Sequence, residues 1–337
     1  MPQPLLPVIW PRPLLPGGTI GVFSPSGPSS DSSLEHAVSA LEARGYRVRL
    51  SPHANAKHPD YEYLAGTDEQ RAEDLNALWR DESVDLVLCA RGGYGAARLL
   101  DKLDYDALRR DPKPLVGYSD VTALSLAIAA QTGIVSYSGV MATAGDGFGE
   151  STLDAWSEAS FFHAVGANGW PRRFDRPETG DGSAPWHVLR GPQTITGPVV
   201  PVCLSLLVSL LATPYVPDLS GAILVIEDVS EELYAVDRML TQLRLAGVLN
   251  NLTALLVGSF NGVPTQNDLL RTHVPRMCEQ FALPSVAVAS GIAYGHIPRR
   301  LTLPVGAAAT LNLDAGTFTF EGPQKALPLI TVGRITS

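Results

Sequence analysis

Cysteine is scarce in this chain. Cys89, Cys203 and Cys278 are the only three in 337 residues, and they lie far apart without metal-ligand spacing. Cys89 and Cys203 stand in apolar runs and read as small core residues. No disulfide framework follows, which suits a reducing compartment, so a cytoplasmic protein is expected. Basic charge is short as well: 25 Lys and Arg against 34 Asp and Glu leave a net charge of −9. That balance argues against nucleic acid or an anionic membrane surface as a partner. Long hydrophobic runs are missing too. The longest, Val202 to Thr213 between Pro201 and Pro214, is too short to span a bilayer and fits a buried helix. The opening MPQPLLPVIWPRPLLPGG has no basic n-region and is broken by prolines, so it reads as an irregular arm rather than a signal peptide. There is no H-E-x-x-H and no pair of histidines at ligand spacing, so neither a metal nor another cofactor is expected. G-x-S-x-G and G-x-G-x-x-G are both absent.

What is present is ample core material. With 45% hydrophobic and 18% charged residues, this is an ordinary soluble composition, and the length favours two domains. The first half alternates strands and helices. TIGVFS (19–24), YRVRL (46–50), DLVLCA (85–90) and IVSYSG (134–139) read as strands. Helices are expected from Ser29–Asp31 to Gly45, from Thr67 through Trp79, over 96–103, and after Ser119 to Gly133. Such β-α-β spacing implies a parallel sheet covered on both faces. Residues 166–190 are rich in Pro, Gly, Arg and Asp and read as a linker. Beyond it come strands at 221–228 and 253–258, a helix over 233–245, and a period-two tail from Leu301 turning at Asp314-Ala315-Gly316. The expected organisation is an arm (1–17), an N-terminal parallel α/β sandwich of flavodoxin or class I amidotransferase type (18–165), the linker (166–190), and a C-terminal mixed α/β domain with an antiparallel β tail (191–337).

In a parallel α/β sheet the loops at the carboxyl ends of strands form the ligand site. Gly117-Tyr118-Ser119-Asp120 follows the short strand Leu115-Val116 and runs straight into a helix. A serine there either caps the helix or, held beside unpaired N–H groups at a positive helix end, serves as a nucleophile with oxyanion donors at hand. Arg91-Gly92-Gly93-Tyr94-Gly95 follows DLVLCA; it is a tight turn, a phosphate cradle or a source of oxyanion donors. Glu227-Asp228 ends the strand AILVI, as a loop starter or as an acid that orients a histidine. Of seven histidines, His296 differs by sitting in a loop between two β-type segments. Ser119, Glu227 and His296 therefore form a candidate triad, in a chain order that such triads permit. Two other classes remain open: a nucleotide- or sugar-phosphate-binding α/β protein using the Arg91–Gly95 loop, and a non-catalytic binding module of two lobes.

Several strings together resemble the LD-carboxypeptidases, serine peptidase family S66. They are YLAGTDEQRAEDL (63–75), ARGGYG (90–95), GYSD (117–120), LSLLVSLLATPY (204–215), IEDVSEELYAVDRMLTQLRLAG (226–247) and GHIPRRLTLPVG (295–306). The resemblance runs from about Gly18 to Gly306. It implies a Ser-His-Glu hydrolase with Ser119 as nucleophile, His296 as general base and acid, and Glu227 as its orienting partner. It also implies an oxyanion hole from the backbone N–H groups of Gly93 and Asp120, and a homodimer. The activity implied is removal of terminal D-alanine from murein tetrapeptides in cell-wall recycling, so the partner is a small peptide or muropeptide. A related branch, the microcin-C self-immunity peptidases, uses the same triad on an acyl-adenylate conjugate. The chain departs from relatives at Pro201-Val202-Cys203-Leu204, where Gly-Gly-Asn-Leu is common, and at Arg299-Arg300. A carboxypeptidase must bind a terminal carboxylate, for which a guanidinium is suited, and Arg91, Arg299 and Arg300 flank the expected loops.

Overall fold

The five residues Thr19–Phe23 (β1) are buried from end to end, as a central strand covered on both faces must be. In this computed structural model, which describes residues 6–143, 147–149, 153–177, 186–262 and 264–323, β1 is followed by α1 (Asp31–Ala43), β2 (Arg47–Leu50), α2 (Asp68–Arg80), β3 (Leu86–Cys89), α3 (Tyr105–Arg110), β4 (Leu115–Val116), α4 (Thr122–Thr132), β5 (Ser136–Ser138) and α5 (Ala155–Val165). Then come β6 (Arg172–Asp175), β7 (His187–Arg190), β8 (Thr194–Cys203), α6 (Leu204–Leu210), β9 (Ile223–Val229) and α7 (Leu233–Leu245). The chain closes with β10 (Ala254–Asn261), α8 (Asn267–Phe281), β11 (Ala287–Ser290), β12 (Leu303–Val305), β13 (Ala308–Asn312) and β14 (Thr317–Phe320).

Two sheets result. The first has the order β12-β5-β4-β3-β1-β2 and the second β6-β14-β13-β8-β9-β10-β11-β7. Strands β1 to β5 pair in parallel, and β8 to β11 form a second parallel block flanked by antiparallel strands. This is the expected α/β class. Local chemistry starts the helices where the sequence indicates. Ser30 caps α1 by accepting from the Ser33 N–H, and Thr67 with Gln70 forms a reciprocal capping box at α2. The two halves share one core: Leu124 and Ala127 of α4 pack in the same cluster as Val202, Leu204 and Leu207. Among the described residues no helix is long and apolar enough to cross a membrane.

Three expectations need correction. The stretch 166–190 is not a bare linker, because β6 pairs with β14 and β7 with β11; residues 178–185 between them lie outside the described residues. In β6 buried and exposed residues alternate, so a short edge strand carries the polar composition of a loop. The helix expected over 96–103 shrinks to one 3-10 turn, Ala96–Leu99, and Asp104 then caps a separate helix, α3. The apolar run from Val202 splits: Val202 and Cys203 finish β8, and only Leu204–Leu210 is helical. One pairing was not foreseen at all. Strand β12, late in the chain, joins the first sheet antiparallel to β5, with Leu303 opposite Ser138 and Val305 opposite Ser136.

Candidate active site

β4 is only two residues long, and the chain leaves it through a turn that no ordinary residue favours. Ser119 has φ = 64°, in the left-handed region. A non-glycine residue held there is strained by roughly 1–2 kcal/mol, a strain found where surrounding structure fixes a functional group. One residue later the chain is helical, and Asp120 and Val121 lead into α4. The Asp120 N–H is thus among the first-turn donors that a helix leaves without an internal partner.

The loop after β3 lies directly on this serine. A Cβ added to Gly92 would stand 3.0 Å from Ser119 Cβ, 3.1 Å from its Oγ and 3.5 Å from the Asp120 nitrogen. A side chain there would press on the serine, which would have to give by a few tenths of an ångström. The Gly92 carbonyl accepts from the Gly27 N–H at 3.2 Å. A trans peptide directs its N–H opposite to its C=O, so this bond turns the Gly93 N–H away from Gly27.

Two elements of the second half meet Ser119 from the other side. Glu227 lies on β9 with its side chain fully buried, and His296 lies in the loop after β11. His296 Nδ1 is 2.7 Å from Glu227 Oε2, and its Nε2 is 3.0 Å from Ser119 Oγ. The carboxylate also accepts the His296 backbone N–H at 3.2 Å. With the Nδ1 proton facing the carboxylate, Nε2 is left to accept the serine hydroxyl proton. Burial pushes the Glu227 carboxyl up, opposed by its hydrogen bond to His296. Gly295 makes the approach possible: at φ = 112° a Cβ there would stand 2.7 Å from both Cβ and Oε2 of Glu227. The candidate triad is therefore assembled in space, across the two halves of the chain.

The histidine loop is docked on the first half by contacts the sequence did not reveal. Asp154, Ser157 and Ser160 line one face at the start of α5. Asp154 pairs with the Arg299 guanidinium at 3.0 Å. Ser157 Oγ accepts the Arg300 N–H at 2.8 Å and donates to the Pro298 carbonyl at 3.0 Å. Ser160 Oγ accepts the Thr302 N–H at 2.9 Å. Tyr294 OH meets Ser138 Oγ at 2.8 Å, while from β10 of the second half Asn261 Nδ2 donates to the His296 carbonyl at 2.8 Å. Spacing of three along α5 was the available signal, but nothing in the sequence shows what that face meets.

The expected arginines separate. Arg299 is tied to Asp154. Arg300 is buried at 2% exposure with its guanidinium 4.4 Å from the Tyr118 ring centre. Arg91 alone is exposed, reaching the Gly92 and Pro28 carbonyls at 3.3 Å. Among the described residues no group of three or more His, Cys, Asp or Glu could hold a metal ion.

Comparison with known proteins agrees with this architecture. The sequence model of the LD-carboxypeptidase N-terminal domain matches residues 20–139, and that of the LD-carboxypeptidase C-terminal domain matches 196–311. A protein of Bacillus subtilis named probable murein peptide carboxypeptidase is 33% identical over 92% of this chain and 94% of its own. The chain belongs to the LD-carboxypeptidase family. The murein tetrapeptide carboxypeptidase of Pseudomonas aeruginosa is 31% identical to this LD-carboxypeptidase family member over 88% of this chain and 93% of its own. The microcin C7 self-immunity protein MccF of Escherichia coli is 27% identical over 90% and 92%. A solved MccF structure, in complex with glutamyl sulfamoyl guanosine, shares the fold with a TM-score of 0.82 at 23% identity, covering 96% of this chain and all of that one.

Proposed function

We propose that the protein is a serine carboxypeptidase that hydrolyses the L,D-peptide bond of murein tetrapeptides and releases terminal D-alanine. The observation that carries this reading is the 3.0 Å and 2.7 Å chain from Ser119 Oγ through His296 to Glu227 in a member of this family. His296 takes the Ser119 proton as Oγ attacks the carbonyl carbon preceding D-alanine. The tetrahedral oxyanion is received by the N–H groups of Gly93 and Asp120, each such donor contributing about 3 kcal/mol to lowering the barrier. Collapse breaks the C–N bond, and His296 returns its proton to the leaving amine of D-alanine. A water, deprotonated by the same imidazole, then releases the acyl group from Ser119. Glu227 keeps the imidazole in the required tautomer and stabilises its cation.

Arg91 is the arginine we assign to the substrate's terminal carboxylate, because it is exposed on the oxyanion loop while Arg299 is already neutralised by Asp154. An amide-capped tetrapeptide turned over at the uncapped rate would refute that assignment. The reading further includes a cytoplasmic location and a homodimer; light scattering of the purified protein tests the dimer, and cell fractionation tests the location.

The likeness to MccF supports a second reading, cleavage of an aminoacyl nucleotide conjugate by the same groups. One experiment decides between them. The protein and its Ser119→Ala variant are incubated separately with murein tetrapeptide and with an aminoacyl sulfamoyl nucleoside, and products are followed by mass. D-alanine release by the parent and not the variant is expected; release by the variant at the parental rate removes Ser119 from the mechanism.

A further inference from the structure

Asp120 carries more than the main-chain donor named above. Its carboxylate is buried at 2% exposure, and one oxygen accepts both the Ser26 hydroxyl at 2.6 Å and the Ala96 N–H at 2.8 Å. Ser26 and Ala96 belong to two different loops, and both are wholly buried. Ala96 follows the Arg91–Gly95 loop directly and opens the 3-10 turn Ala96–Leu99. Ser26 precedes Gly27, whose N–H holds the Gly92 carbonyl. The carboxylate therefore grips the oxyanion loop at its far end directly and at its near end through the Ser26-Gly27 segment.

A second buried charge closes the arrangement. Arg71, 1% exposed, donates to the Pro25 and Gly95 carbonyls and to Asp68, so it joins the same two loops from the opposite side. Burial pushes the Asp120 carboxyl up, opposed by its bonds to Ser26 and Ala96 and by the positive charge of Arg71. Buried charges are costly unless paired and hydrogen-bonded; here Asp120 bonds the Ser26 hydroxyl and the Ala96 N–H, and Arg71 bonds two loop carbonyls and the Asp68 carboxylate. That cost is offset only where the geometry is shared among several groups.

We propose that the Asp120 side chain is a positioning residue for the oxyanion hole: its carboxylate, through Ser26 and Ala96, fixes the Gly92–Gly93 peptide so that the Gly93 N–H and the Asp120 N–H converge on one oxygen. One residue thereby supplies one donor and sets the place of the other. The proposal rests on the serine acyl-transfer reading but not on which peptide is cleaved. It differs from a purely structural role in what it predicts. A misplaced donor weakens binding to a tetrahedral adduct and lowers kcat, while affinity for the planar ground state is kept.

The test uses the full chain with Asp120→Asn and Ser26→Ala, each reacted with a fluorophosphonate, whose tetrahedral adduct on Ser119 occupies the same hole. Asp120→Asn is expected to slow phosphonylation about 100-fold, within the range for losing one such donor, and to lower kcat for D-alanine release in parallel, with KM within twofold. Ser26→Ala is expected to show the same pattern at about 10-fold and, as the gentler change, decides the matter if Asp120→Asn does not fold. Wild-type phosphonylation rates in a folded Asp120→Asn or in Ser26→Ala, or a KM that rises while kcat holds, overturn the proposal. The two readings fail separately: a wild-type protein that reacts with the probe yet releases no D-alanine refutes the murein substrate alone.

Discussion

His296 Nε2 and Ser119 Oγ lie 3.0 Å apart although 177 positions separate them in the chain. The contact forms between loops from two different sheets, and every element that sets it can be tested on its own.

The serine is held in a backbone conformation that glycine adopts freely. Ser119→Ala and Ser119→Gly should both lose activity by about 10⁴-fold or more, since each removes the nucleophile. They should differ in stability, with the glycine variant about 1 kcal/mol more stable because it relieves the left-handed strain at φ = 64°. Urea unfolding of the two variants side by side checks this; equal midpoints would show that the turn stores no strain.

Glu227→Gln keeps the shape of the acid but not its charge. A loss in kcat of about 10³- to 10⁴-fold is expected, because the imidazole loses its tautomer control and the partner of its cation. Stability should respond in the opposite sense. Burial raises the Glu227 carboxyl in the folded protein, so the native state binds the proton more tightly than the unfolded chain. The stability this contributes is full below the ordinary carboxyl range and is lost as pH rises through the raised value. Denaturant midpoints of the parent should therefore fall across that window, and Glu227→Gln should flatten the fall.

Ser157 satisfies a donor and an acceptor of the histidine loop at once. Ser157→Ala leaves both without it and should cost about 1–3 kcal/mol. If α5 aligns the histidine, kcat should drop several-fold in the variant at temperatures where it is fully folded. A thermal melt beside steady-state kinetics separates the two effects.

Gly92 faces the nucleophile so closely that a methyl group there would crowd Ser119 Cβ at 3.0 Å and its Oγ at 3.1 Å. Gly92→Ala should lower kcat by about 10²-fold, by moving Ser119 or the loop that carries its oxyanion donor. The change in folding stability should stay near 1 kcal/mol, because the loop itself can shift. A variant with parental kcat would mean that the loop yields without cost to chemistry.

Legibility in the sequence followed the physics of each part. Strands β1, β3 and β9 were readable because burial on both faces leaves an unbroken apolar run, and α2 because Thr67 and Gln70 announce its start. Ser119, Glu227 and His296 stood out because each closes or follows a strand, where ligands gather in this class of fold. The edge strand β6 was hidden, since half its residues face solvent and look like loop. Asp120, Ser26 and Arg71 were hidden for another reason. The Asp120 carboxylate meets the Ser26 hydroxyl 94 positions away, the other bonds run to backbone groups of distant loops, and no local pattern encodes such a meeting. Arg299 was visible as a charge but not as one already matched by Asp154.

Strand β12 has a bearing on how peptides enter. It follows the histidine loop by a few residues and is stitched to β5 as an edge strand of the first sheet, so prising the halves apart would unzip a ladder just beyond residue 296. Entry and exit are then the business of side chains and loops at the rim, while the halves stay riveted. A fragment ending at residue 165 would lack that rivet and bare the flank of β5, inviting strand-to-strand clumping.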